Sequence, residues 1–135
     1  MAYRRMSSQN REGKPVTIVA FESGYPKIET AALAKVLKDV KQLPLIIVSM
    51  IGRARGGKSF FLNLYMNYLN YLEKNGEDGD WESSKTQTSG FPWGMSEEPI
   101  TKGISVWSKP FIIEPREGEQ VRHADTITNN LCGYY

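Results

Sequence analysis

The sequence predicts an α/β domain with a mostly parallel sheet flanked by helices. Segments rich in β-branched residues alternate along the chain with segments of helical periodicity, which is the pattern of such domains. Residues 45–51 form a nearly continuous apolar run, typical of a parallel strand that is covered on both faces. A glycine-rich motif follows this run and precedes a helix pattern, so the strand, loop and helix are expected to form one unit.

The first part of the chain contains one predicted strand and one predicted helix. Residues 15–21 (PVTIVAF) are rich in β-branched residues and predict the strand. Turn-forming residues follow at positions 23–26. The next apolar residues recur at helical spacing and give a helix one apolar face: Leu33, Val36, Leu37 and Val40.

The glycine-rich motif occupies residues 52–59 and reads GRARGGKS, which matches GxxxxGK[ST]. In such a loop the glycines let consecutive backbone N–H groups point at one anion, and the following helix adds its positive end. We expect Lys58 to reach the β- and γ-phosphates of a nucleotide and the Ser59 hydroxyl to ligate Mg²⁺. The pattern predicts a P-loop NTPase fold. A phosphate loop does not recognise the base of the nucleotide, so the pattern also fits an ATP-using enzyme such as a kinase.

The chain after this loop predicts a helix, a loop and short strands. The helix runs from Phe60 to Glu73, and its apolar residues cover much of its circumference, which predicts burial between a sheet and another element. Residues 74–89 are polar and predict a loop. Residues 104–107 and 111–113 predict one interrupted strand or two short ones, at an edge or bulge because Pro110 lies between them.

Composition divides the chain into three parts. Residues 1–13 are polar and basic and predict a disordered arm. Residues 14–121 carry the strand and helix patterns and predict a partial domain. Residues 122–135 predict an unpatterned tail, because apolar periodicity is lost from His123 onward. The predicted fold is therefore incomplete at its carboxyl-terminal side.

The charge balance and the single cysteine limit the classes of partner and compartment. The net charge of the 135-residue chain is +2, which gives no electrostatic case for nucleic acid or an anionic membrane. Cys132 is the only cysteine, so no disulfide forms within one chain, which fits a reducing cytoplasm. The longest apolar run, residues 43–51, is far shorter than the roughly 18 residues that span a bilayer. We expect a cytoplasmic chain with no membrane anchor.

Three segments in order carry a resemblance to a known family. They are the loop and helix (GRARGGKSFFLNLYMNYL), the GFPW sequence at residues 90–93, and ITKGISVWSKPF at residues 100–111. Together they resemble the atlastin and guanylate-binding-protein group of large dynamin-related GTPases, with atlastins the more similar. The resemblance runs from about residue 13 to residue 111.

The resemblance implies roles for individual residues. Arg55 matches the arginine that this group carries inside its phosphate loop, an internal arginine finger for the γ-phosphate. Thr101 matches the threonine of the first switch loop, which completes the Mg²⁺ shell. Gly103 would let that loop fold over the nucleotide, and Phe91 and Trp93 would anchor it by packing. The predicted catalytic residues are thus Arg55 and Thr101, the metal ligands Ser59 and Thr101, and the nucleotide contacts Gly52, Arg55, Gly56, Gly57, Lys58, Ser59 and Phe60.

The resemblance also implies an activity and partners. Members of this group hydrolyse GTP with Mg²⁺ and couple hydrolysis to nucleotide-driven homodimerisation. Full-length atlastins fuse endoplasmic reticulum membranes from the cytosolic face. The expected ligands are therefore GTP and Mg²⁺, and the expected partner is a second copy of the chain.

Two parts of a working GTPase of this group have no match. One is a strand that ends in DxxG, and the other is an Arg-Asp motif that reads guanine. Asp125-Thr126 begins like the family's Asp-Thr, but Thr128 stands where the glycine is expected. The alternative prediction is therefore a fragment that binds nucleotide or pairs with a relative without hydrolysis. With the rest of the sheet missing, we expect exposed apolar strand surface and either marginal stability or aggregation of the isolated chain.

Overall fold

The computed structural model describes residues 12–38, 40, 44–53, 55–76, 79–83, 90–94 and 103–113, and the backbone of residues 123–130. These residues form a mixed sheet with two helices, which confirms the α/β class. The elements in chain order are β1 (Pro15–Glu22), β2 (Tyr25–Ile28), α1 (Thr30–Leu37), β3 (Leu45–Met50), α2 (Lys58–Asn75), β4 (Ile104–Trp107), β5 (Phe111–Ile113) and β6 (His123–Asn130).

The sheet is mostly antiparallel, so the prediction of a mostly parallel sheet is wrong for the strands described. The strand order is β2-β1-β4-β6-β3, and β5 also pairs with β6. Only β3 and β6 run parallel, while β1 pairs antiparallel with both β2 and β4, and β6 pairs antiparallel with both β4 and β5. One cause is the length of the connections, because a two-residue turn between β1 and β2 permits only antiparallel pairing.

The β1–β2 hairpin shows why the sequence predicted a turn but not the second strand. Both turn residues have positive φ, 51° at Ser23 and 82° at Gly24, as a type I′ hairpin turn requires. Pro26 and Lys27 depart from a strand pattern, but β2 lies at the edge of the sheet. An edge strand tolerates proline and lysine because its outer side has no strand to pair with.

Strands β4 and β5 lie end to end along the same side of β6. Val106 of β4 pairs with Thr128, and Phe111 of β5 pairs with Asp125. The break falls at residues 108–110, where proline has no N–H to donate. Of the two predicted arrangements around Pro110, one interrupted strand or two short ones, the structure shows two short strands.

Strand β6 contradicts the prediction that residues 122–135 are an unpatterned tail. Residues 123–130 lie between β4 and β3 and pair with both. Their sequence, HADTITNN, lacks the apolar run expected of an inner strand. Backbone pairing defines this strand, and backbone N–H and C=O groups pair regardless of side-chain polarity.

Helix α2 supplies the centre of the core. Its buried face packs with the GFPW segment and with β4 and β5; the cluster comprises Leu62, Met66, Leu69, Leu72, Phe91, Trp107, Phe111 and Ile113. The helix is not covered all round, however. Phe60, Phe61 and Leu64 expose 45%, 53% and 39% of their surface, so the predicted burial on a second side is wrong for the first turns.

Strand β3 lies at the opposite edge of the sheet from β2, which contradicts the prediction that both of its faces are covered. Leu45, Ile46 and Ile47 are 36%, 46% and 60% exposed. The prediction of exposed apolar strand surface is thereby confirmed. Unlike β2, strand β3 carries no charged residue and no proline, which are the features that protect edges from pairing with another chain.

We predict that replacing Ile47 by lysine reduces self-association of the chain. Ile47 is exposed, so the charge costs little packing and repels a second edge strand. Tyr25→Lys on the other edge, at an exposed site, is the matched control and is expected to change nothing. Light scattering over a concentration series measures the effect. Equal association of the wild-type chain and both variants would contradict a role for the β3 edge.

Candidate phosphate-binding site

The glycine-rich loop lies where β3 ends and α2 begins. Strand β3 ends at Met50, and α2 begins at Lys58, two residues earlier than the sequence predicted. Ligands of α/β proteins bind outside the carboxyl ends of the parallel strands. The loop stands at the carboxyl end of β3, which belongs to the one parallel pair in the described sheet.

Lys58 reaches back across the loop rather than out into solvent. Its Nζ donates hydrogen bonds to the carbonyl oxygens of Gly52 at 2.8 Å and Arg53 at 2.6 Å. Within the part of the chain described, Lys58 pairs with no carboxylate. An ammonium group has three donors, and two of them hold the side chain against the loop.

The backbone of the loop is bent by residues of positive φ. Arg55 has φ 61° and Gly57 has φ 77°. The N–H of Gly56 donates to the carbonyl of Arg53 at 3.2 Å and closes a turn. A side chain at Gly56 would meet that carbonyl oxygen at 3.0 Å, so glycine is the residue that fits here. Positive φ is uncommon for arginine, and such residues cluster where function constrains the backbone.

No acidic side chain in the first turn of α2 repels an anion. Gly57 is the N-cap, no described side chain caps it, and the first turn contains no acidic residue. The first N–H groups of a helix lack partners within the helix and carry about half a positive charge. This helix start therefore favours a negatively charged group over any other.

The remaining predicted contacts lie along the same first turn. Ser59 and Phe60 follow Lys58, with Ser59 half-buried and Phe60 exposed. The structure thus brings the predicted residues Gly52, Arg55, Gly56, Gly57, Lys58, Ser59 and Phe60 together in one loop and helix start. Thr101 lies outside the described residues.

The GFPW segment is fastened to α2 by a side chain that the sequence did not single out. Asn63 Nδ2 donates to the carbonyl of Phe91 at 2.9 Å, and the N–H of Phe91 donates to Asn63 Oδ1 at 2.8 Å. Phe91 is 2% exposed and meets the ring of Trp107 with centroids 5.6 Å apart. Phe91 therefore packs in the core, whereas the loop that it was predicted to anchor lies outside the described residues.

Trp93 makes a different contact from Phe91. It is 61% exposed, and its ring and the ring of Phe60 form a T-shaped contact with centroids 5.0 Å apart. The aromatic pair lies beside the loop, because Phe60 follows Ser59. Packing of Trp93 is confirmed, but on the surface rather than in the core.

Gly103 is constrained by the sheet. It has φ 81° and is buried, and a side chain there would overlap the carbonyl oxygen of Val19 in β1. Glycine is therefore needed at this position to let β4 start against β1.

A protein-family model described as the guanylate-binding protein N-terminal domain matches residues 25–126, which include the loop, α2, the GFPW segment, β4 and β5. The chain belongs to this family.

The chain is also similar to atlastins. Mouse Atlastin-3 is 34% identical over 128 residues, which cover 90% of the chain and 24% of the relative. Human Atlastin-3 is 32% identical over 112 residues, and rat Atlastin-1 is 30% identical over 115 residues; each match covers 20% of the relative. The chain therefore spans about a quarter of these relatives or less. Neither described helix is long and apolar enough to cross a membrane.

The register of β6 does not bring Asp125 to the phosphate loop. Asp125 pairs with Ile46, whereas Asn129 pairs with Met50 at the end of β3 that leads into the loop. Four residues of strand separate Asp125 from Asn129, which is about 13 Å along the strand. The backbone position nearest the loop on β6 thus belongs to asparagine, where the resemblance to this family implied an aspartate.

We predict that Gly57→Ala weakens binding of a fluorescent GTP analogue, whereas Gly76→Ala does not. Both glycines have φ 77°, and no atom lies within 4 Å of an added side chain at either site. Each alanine is therefore expected to lower the free energy of unfolding by about 1–2 kcal/mol. Urea denaturation measures that cost, and a fluorescence titration measures binding. Equal binding by the two variants would contradict a specific role for the loop.

Proposed function

We propose that this chain binds GTP together with Mg²⁺ at the loop formed by residues 52–59. The observation that carries the proposal is the position of Lys58, whose ammonium group is held over the loop by two carbonyl oxygens. It stands at the start of a helix whose first turn contains no acidic residue. A cation and a helix start that converge on one place favour a phosphate group.

Each residue of the loop has a proposed task. Lys58 uses its third donor on the β- and γ-phosphate oxygens, and the N–H groups from Gly56 to Phe60 surround the β-phosphate. The Ser59 hydroxyl suits Mg²⁺, because this hard cation takes oxygen ligands. When bound, Mg²⁺ supplies positive charge to the β- and γ-phosphate oxygens. Thr101 is the proposed second ligand, from the family resemblance.

The preference for guanine rests on the family. The matching family model is described as guanylate-binding, and the sequence contains no Arg-Asp motif. A phosphate loop by itself accepts ATP as readily as GTP. Displacement of a bound fluorescent GTP analogue by GTP and by ATP tests whether the site prefers guanine to adenine. Equal displacement by the two nucleotides would remove guanine from the proposal.

Hydrolysis is the family activity, and Arg55 is its proposed catalytic residue. The guanidinium group would place positive charge on the γ-phosphate as negative charge develops there. Its positive φ and exposed side chain are compatible with reaching over a bound nucleotide.

A second candidate function is nucleotide binding without turnover. The register of β6 favours it, because Asp125 lies opposite Ile46 and Thr128 replaces the expected glycine. Measuring phosphate release by the wild-type chain and Arg55→Ala decides between the candidates. A large loss in the variant supports hydrolysis with an arginine finger. Equal rates remove Arg55 from the mechanism, and no release despite tight binding supports the second candidate.

The family resemblance also motivates proposals about assembly and location. We propose that GTP promotes pairing of two copies, and that the chain resides in the cytosol, where its relatives face the endoplasmic reticulum. Light scattering with and without a non-hydrolysable GTP analogue tests the first proposal. Fluorescence microscopy of the tagged chain tests the second.

We predict that Lys58→Ala weakens GTP binding about 10- to 100-fold, since a hydrogen bond to a charged group is worth about 1.5–3 kcal/mol. Lys74→Ala is the matched control, because Lys74 is an exposed lysine in the last turn of the same helix. Isothermal titration calorimetry with MgGTP measures both affinities. An unchanged affinity in Lys58→Ala would exclude the proposed site.

A further inference from the structure

We propose that two copies of this chain join through the outer edge of β3, in an antiparallel pairing centred on Ile46. The pairing needs no nucleotide and involves no residue of the phosphate loop, so it is independent of the proposed function and of the GTP-promoted pairing. The residues of the two sheet edges set its strand, its direction and its register, and they limit the assembly to two copies.

The described sheet has two edges, and they differ in the features that oppose pairing with another chain. Among the described strands, β3 pairs with β6 alone, and β2 pairs with β1 alone. The β2 edge carries Pro26 and Lys27, and the Lys27 ammonium group pairs with Glu22 at 2.8 Å. Proline and charged side chains protect an edge from a second strand. Residues 44–52 contain no charged side chain, so the β3 edge lacks this protection.

The exposed apolar residues of β3 lie on both faces of the strand. Leu45, Ile46 and Ile47 are all exposed. Because side chains alternate along a strand, Leu45 and Ile47 share one face, and Ile46 lies on the other with Val48 and Met50. Val48 and Met50 pack against the core that contains α2. A strand paired beside β3 covers both faces at once, whereas a helix packed on one face does not.

A second copy of the chain supplies a strand of matching chemistry. A two-fold axis perpendicular to the sheet reverses the strand direction, so the symmetric pairing is antiparallel. Centred on Ile46, it places Ile46 opposite Ile46 and Leu45 opposite Ile47. Each residue then stands opposite one on its own face, as antiparallel pairing requires, with Cβ atoms about 4.5–5.5 Å apart. Apolar side chains meet apolar side chains, and no charge on either strand opposes the contact.

The assembly stops at two copies because each described sheet has one unprotected edge. After pairing, both β3 strands lie inside a joined sheet whose outer edges are the two protected β2 strands. A two-fold contact of this kind closes, whereas two unprotected edges per chain would allow filaments. Met50 lies four positions beyond Ile46 in each copy, so the two Met50 residues are about 26 Å apart along the strands. The two phosphate loops therefore remain separate sites.

Cysteine cross-linking without nucleotide tests the pairing and its register. Every variant also carries Cys132→Ser, which removes the only native cysteine. Ile46→Cys places two cysteines directly opposite each other, whereas Leu45→Cys places them on a diagonal about 7–8 Å apart, beyond disulfide geometry. Ile28→Cys is the matched control, because Ile28 is an exposed isoleucine on the other edge strand. Non-reducing electrophoresis after mild oxidation measures the disulfide-linked dimer.

We expect about tenfold more disulfide-linked dimer from Ile46→Cys than from Leu45→Cys or Ile28→Cys, because only the first brings its two sulfur atoms within bonding distance. A mixture of Leu45→Cys and Ile47→Cys also cross-links, since these positions stand opposite each other. Analytical ultracentrifugation of the wild-type chain over a concentration series shows monomer and dimer without larger species.

Three results would overturn the proposal in distinguishable ways. Equal cross-linking of Ile46→Cys and Ile28→Cys would show random collision instead of pairing through β3. Stronger cross-linking of Leu45→Cys than of Ile46→Cys would refute the register. A wild-type chain that sediments only as monomer, or as a continuous series of larger species, would refute the closed dimer. This last measurement needs no variant, so it decides the matter even if a cysteine variant fails to fold.

Discussion

The hydrogen bonds from Lys58 to the carbonyls of Gly52 and Arg53 connect the end of β3 to the start of α2. They hold a cation against two carbonyl oxygens of the loop. The same bonds fix the position of the ammonium group relative to the loop that precedes the helix. A side chain at position 56 would press on the carbonyl oxygen of Arg53, 3.0 Å away, so glycine fits best there. The proposed chemistry of the site follows from this one contact.

The hydrophobic core holds α2 in place. Leu62, Met66 and Leu69 are almost fully buried, and they join the helix to β4, β5 and the GFPW segment. At the far end of the helix, Glu73 accepts from the N–H of Ile112 at 3.0 Å and pairs with Lys109 at 3.6 Å. The helix start is therefore presented by a packed core, although the edge strand that leads into the loop is exposed. On the α2 side the loop is therefore joined to a packed core, whereas on the β3 side it is joined to an exposed strand.

Local sequence patterns were sufficient to predict the loop, α2 and the strands on either side of Pro110, because glycine, proline and helical periodicity act over a few residues. They were not sufficient for pairings that depend on distant partners. Strand β6 is polar, and only its place between β3 and β4 makes it a strand. Asn63 is likewise an ordinary helix residue in the sequence, and its partner Phe91 lies 28 residues away.

The most direct test of the account is an NMR titration of the ¹⁵N-labelled chain with MgGTP. If the loop binds the phosphates, the amide signals of Gly56, Gly57, Lys58 and Ser59 shift together and saturate. The amide of Gly76, which has the same φ at the other end of α2, stays unchanged. Loop amides that do not respond to millimolar MgGTP, or shifts spread evenly over the chain, would contradict the account.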